Sequence, residues 1–147
     1  MQGLLENKIL LTVIISLVAA QLFKVLTLLI FERKFDLRRL KGTGGMPSSH
    51  SSSVVALATS VGFERGFSGP EFAISVVLAF VVMYDACGIR RAAGEQAALL
   101  NEIIKQFSEI RKEGFEHDGL RTLLGHTVPQ VFFGAILGII ISILFYL

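Results

Sequence analysis

The chain has 147 residues, 52% of them hydrophobic, and a mean hydropathy of +0.65, more than a soluble domain of this length needs to build its core. That length allows one domain. A formal net charge of +2 says little by itself; no nucleic-acid partner is expected, and the single cysteine, Cys87, excludes an internal disulfide.

The apolar residues come in blocks. Residues 9–31 form the first, long enough to cross the roughly 30 Å of bilayer hydrocarbon. Its length and its Lys24 fit a retained anchor rather than a cleaved signal peptide. Gln21 and Lys24 are weak functional candidates, since a lysine this near a helix end can snorkel to the interface. A basic segment follows, holding Arg33, Lys34, Arg38, Arg39 and Lys41, and it ends in Gly42, Gly44 and Gly45.

The second span, about 48–63, is shorter and more polar. Pro47 suits its first helical position, where a missing N–H costs nothing. Ser48, Ser49 and His50 then fall where backbone N–H groups lack intrahelical partners. Those donors, the positive end of the dipole and two hydroxyls suit an anion such as phosphate, and a histidine there can donate a proton near neutral pH.

The third span, about 71–89, contains Asp85, an acid inside an apolar run and therefore a functional-site candidate. It can orient a histidine, pair with an arginine or hold a metal. Arg90 and Arg91 stand where this span leaves the membrane; their guanidinium forks match phosphate oxygens, although basic anchoring explains one of them equally well. Residues 95–113 carry Leu100, Ile103, Ile104, Phe107 and Ile110 at helical spacing with charges between, which fits an amphipathic helix on the membrane surface or against the bundle. His117, in an acidic turn, fits solvated surface.

The fourth span, about 128–147, opens on "LLGHTVPQVFFG". His126 sits just before its start, Thr127 or Val128 caps it, and Pro129 suits the first helical position. Gln130, four residues after His126, is near enough to hold one ring nitrogen. Gly134 and Gly138 form a small-xxx-small pattern able to pack spans within a chain or between chains, which leaves a homo-oligomer open. A soluble alternative would need to bury four helices that are apolar nearly all round, which a small domain does not manage. The fold expected is an all-α integral membrane bundle of two transmembrane hairpins with a cytoplasmic amphipathic helix. Basic residues concentrate in the 1–2 and 3–4 connections, so both connections face the cytoplasm and both termini face outward.

"TGGMPSSHSSSVVAL", "YDACGIRRAAGEQAALLNEI" and "LLGHTVPQVFFGAILG" together resemble the divergent type-2 phosphatidic acid phosphatase family, a small membrane branch related to lipid phosphate phosphatases and vanadium haloperoxidases. The resemblance runs from about Phe31 to Ile139. It implies that His126 attacks phosphorus to form a phosphohistidine and that His50 protonates the leaving alkoxide. It further implies that Ser48 and Ser49 bind phosphate oxygens and that Gln130 orients His126. The chain departs from the wider superfamily in four ways. Ser49 replaces a glycine, Gln130 replaces an aspartate, Arg121 lies one residue closer to its histidine, and no lysine-to-arginine-proline motif is present. Lys34 and Lys41 have roughly that spacing, but glycine follows Lys41; Arg90 and Arg91 are candidates for the missing cationic role.

The function expected is hydrolysis of a lipid phosphomonoester or diphosphate, such as phosphatidylglycerophosphate, phosphatidate or a polyprenyl phosphate, at the cytoplasmic face of the plasma membrane. No cofactor is expected. The alternatives are a non-catalytic lipid- or anion-binding scaffold or small transporter, and a magnesium-dependent phosphatase in which Asp85, with Asp36 or Asp118, holds the metal.

Overall fold

A computed structural model describes residues 6–31, 45–111, 119, 120, 122 and 124–147. Segments 32–44 and 112–118, with Lys34, Asp36, Lys41, His117 and Asp118, lie outside the described residues, as does Arg121. The described residues form five helices and no strand: α1 (Lys8–Phe31), α2 (Ser49–Arg65), α3 (Pro70–Cys87), α4 (Ile89–Arg111) and α5 (Val128–Tyr146).

Local chemistry sets the ends. The Asn7 side chain accepts the Leu10 N–H at 3.0 Å and opens α1. Ser48, with extended backbone, caps α2 by accepting the Ser51 N–H at 3.3 Å. Pro47 therefore precedes the cap and is not the first helical residue; a serine hydroxyl can take a free N–H of the first turn and proline cannot. Pro70 opens α3, and Gly88 separates α3 from α4. Because Gly88 makes the break, α4 starts at Ile89, several residues before the amphipathic pattern itself begins.

Among the described residues, three helices are long and apolar enough to cross a membrane, over Lys8–Thr27, in the run from Pro70, and over Val128–Tyr146. The 17-residue α2 is not among them. It lies at the centre instead, packed against α1, α3 and α5, while α5 also meets α1 and α3.

The interior is made of small and hydroxylated residues. Ala20, Ala56, Ala79 and Ala86 are buried, as are Thr12, Ser16, Ser51, Ser52, Ser60 and Ser142. The large apolar residues point the other way: Leu22, Ile74, Phe80, Val81, Phe132 and Leu144 are all more than half exposed. In water this surface would drive aggregation. In lipid it is the natural surface, and helix association rests on close backbone approach and on hydrogen bonds between helices. Both are present. The Ser16 and Ser52 hydroxyls lie 2.6 Å apart between α1 and α2, and Ser142 on α5 donates to the Ala56 carbonyl of α2 at 3.2 Å. A β-carbon on Gly134 would fall 2.4 Å from the Ser48 carbonyl oxygen, and one on Gly138 would fall 2.5 Å from that of Ser52. The small-xxx-small pattern thus joins α5 to α2 within the chain. The molecule is an all-helical membrane bundle.

Candidate active site

The first turns of α2 and α5 meet side by side. The Ser48 N–H donates to the Gln130 carbonyl at 2.9 Å, so the cap of one helix is bonded to the first turn of the other. Thr27 of α1 donates to the Met46 carbonyl at 2.8 Å and ties the approach to α2 onto α1.

The segment before α5 is fixed as firmly. The His126 N–H donates to the Ala86 carbonyl near the end of α3 at 2.8 Å. Gly125 has a φ of +82°, and a β-carbon there would meet the Arg91 backbone at 2.4 Å. Only glycine combines that conformation with that approach, and it sets His126 between α3, α4 and α5.

These constraints bring His50 and His126 together, with ring centroids 5.7 Å apart and planes at 65°. His126 is 2% exposed. Its Nδ1 lies 3.2 Å from Gln130 Oε1, which also accepts the Thr127 N–H at 3.1 Å. An acceptor shared in this way requires Nδ1 to carry the proton, which leaves a lone pair on Nε2. Among the described residues that buried Nε2 has no hydrogen-bond partner, nor have His50 Nδ1 and Ser51 Oγ. Buried polar atoms are almost always paired. Three unpaired ones, two of them on facing imidazoles, describe a site built for a polar ligand.

Burial pushes the His126 imidazole down to about 4; the charges of Lys24 and His50 add to this, against the opposing bonds from the Gln130 side chain and the Gly45 backbone. The ring is therefore neutral at physiological pH, the form in which an imidazole keeps a lone pair.

Lys24 is the residue that sequence reasoning undervalued. It does not snorkel: it is 2% exposed, and its Nζ donates to Ser49 Oγ at 3.2 Å. The only signal in the sequence is a lone cation in an apolar run.

The remaining candidates divide. Ser48 is occupied as a cap. Asp85 and Arg90 pair with each other at 2.5 Å, both partly exposed, and their charges act on His50. Arg91 pairs with Glu95 one turn along α4, at 3.0 Å on the surface. Lys41 and Arg121 lie outside the described residues. Among the described residues, no group of three or more histidine, cysteine, aspartate or glutamate side chains is placed to hold a metal ion.

Comparison with known proteins agrees with this architecture. The chain is 39% identical over 149 residues to the uncharacterized membrane protein YuiD of Bacillus subtilis (strain 168), covering 95% of this chain and 94% of that protein. No solved structure matches. The family model described as the divergent PAP2 family matches residues 5–141, nearly the whole bundle and every residue of the histidine site, and the chain belongs to that family.

Proposed function

We propose that the protein is a membrane phosphatase that hydrolyses a lipid phosphomonoester or diphosphate through a phosphohistidine on His126. The observation that carries this reading is the pair of imidazoles at the mouths of α2 and α5, 5.7 Å apart, each with a buried ring nitrogen lacking a partner. His126 Nε2, its lone pair exposed by the Gln130 bond, attacks phosphorus. The P–O bond to the lipid breaks, and His50, carrying a proton on Nδ1, gives it to the leaving alkoxide. Water then attacks the phosphohistidine, His50 takes a proton from it, and inorganic phosphate departs as His126 is regenerated.

Ser49 and the first turn of α2 hold phosphoryl oxygens, and Gln130 orients the nucleophile. Gln130 carries no charge, so the developing imidazolium gains orientation from it but no ion pair. Asp85 is engaged with Arg90, and hydrolysis is proposed to need no metal. The charge bias of the connections supports a site on the cytoplasmic side of the plasma membrane, which favours lipids made on the inner leaflet: phosphatidylglycerophosphate, phosphatidate or polyprenyl phosphates.

Purified protein in mixed micelles should release inorganic phosphate from at least one of these lipids, with and without EDTA. His126→Ala should abolish the release and His50→Ala should cut it severely. Unchanged turnover in His126→Ala rules out the mechanism. Activity lost to EDTA and restored by magnesium points to the metal-dependent alternative, and phosphate-dependent stabilisation with no turnover across the panel points to a binding scaffold.

A further inference from the structure

We propose that Lys24 is the phosphate-binding cation of this site and that it holds the phosphoryl group against the first turn of α2. The inference rests on the phosphatase reading for the identity of the ester, but the anion is argued from the lysine and its neighbours alone.

Lys24 stands seven residues before the end of α1, roughly 10 Å along the axis. Its stem runs beside Gly45, just ahead of the α2 cap, and brings the amine to the first residue of that helix. A lysine in this place can usually reach the headgroup layer, yet here the side chain turns inward and is 2% exposed. The Ser49 hydroxyl at 3.2 Å takes one of its three N–H donors. A neutral hydroxyl does not offset the burial of an ammonium; an anion does.

No carboxylate among the described residues is paired with Lys24, and Asp85, the acid whose charge acts on His50, is held by Arg90. From α2 the amine's surroundings include the helix N-terminus, Ser49 and His50, and from the α5 side His126; its charge acts on both imidazoles. Ser51 Oγ, on a residue with no exposure, and Nε2 of the nearly buried His126 lack partners among the described residues. A tetrahedral oxyanion matches this set. It can accept from the ammonium, the serine hydroxyl and a ring N–H of His50 on separate oxygens, leaving its central atom for His126 Nε2.

The test is binding rather than turnover. Wild-type protein in detergent is titrated with inorganic phosphate, and the thermal midpoint is followed alongside Lys24→Met, Lys24→Gln and Lys24→Arg. A second arm uses vesicles of phosphatidylcholine with or without phosphatidate, in the His126→Ala background so that no lipid is consumed. Phosphate should stabilise the wild type. Lys24→Met and Lys24→Gln should weaken that response at least tenfold and Lys24→Arg by a few-fold, with the same order for phosphatidate and no response to phosphatidylcholine alone. Stabilisation by free phosphate but not by phosphatidate would assign the site to the soluble anion. Should Lys24→Met fail to fold, Lys24→Gln, which keeps a hydrogen-bonding end group without the charge, carries the comparison. Equal phosphate affinity in the neutral variants overturns the inference, as does a wild type that neither phosphate nor phosphatidate stabilises. Lys24-dependent binding without turnover of any lipid would sink the phosphatase reading and leave this one standing.

Discussion

His126, the proposed nucleophile, owes its character to one uncharged neighbour and to burial. Gln130 sets which nitrogen bears the proton, and burial keeps the ring neutral down to about pH 4. Gln130→Leu removes the first effect and should lower kcat by about 10²- to 10⁴-fold, as loss of the correct tautomer does elsewhere, with little change in KM. The second effect has a stability signature. An unfolded chain protonates this histidine near its ordinary value of 6.5, whereas the folded chain does so only near 4. Between those values the unfolded state binds more protons, so stability falls as the pH drops from about 6.5 and levels off below about 4. The thermal midpoint of the wild type should drop more between pH 7 and pH 4.5 than that of His126→Gln, which has no such proton to gain. Much of this was legible at the level of residues: a serine-serine-histidine at one helix mouth, a histidine at another, and a glutamine four positions on. Lys24 was not. Sequence places a lysine on a helix but not its rotamer, and only Ser49, 25 positions away across the α1–α2 contact, decides between inward and outward.

At the scale of elements, the two helix mouths stay together because α5 lies directly on α2. Alanine in place of glycine stabilises an exposed helix by about 1 kcal/mol. At Gly138 the added β-carbon would fall 2.5 Å from the Ser52 carbonyl oxygen and 2.9 Å from the Ala56 nitrogen. Overpacking of this kind costs about 1–3 kcal/mol, so Gly138→Ala should be destabilising on balance and Gly138→Leu far more so. Ile139→Val on the outward face should be nearly neutral. Denaturant titration in mixed micelles checks all three. The helices themselves were readable from block length and apolar content. Their starts were less so, because the order of cap and proline before α2 depends on a hydroxyl finding the Ser51 N–H. Where α4 begins depends on Gly88 rather than on the apolar spacing further along.

For the whole molecule, charge bias and packing make separate statements. The bias toward basic connections predicts that Ser68→Cys, in a Cys87→Ser background, reacts with an impermeant maleimide on intact cells. Glu95→Cys should react only after permeabilisation. The reverse pattern would move the proposed site to the outer face. The membrane class was plain from the apolar blocks, but the central position of α2 was not, since its serines and alanines read as a weak span until three longer helices are seen to enclose it. An interior of alanine, glycine and serine also reverses the usual pattern of tolerance to mutation. Bulky outward side chains such as Phe80 and Leu144 meet only lipid tails and can be exchanged for other greasy residues at little cost. The least conspicuous letters, Gly134, Ala56 and Ser52, have no room to grow. A saturation map of this chain should therefore look like the photographic negative of a water-soluble enzyme's, pale at its largest residues and dark at its smallest.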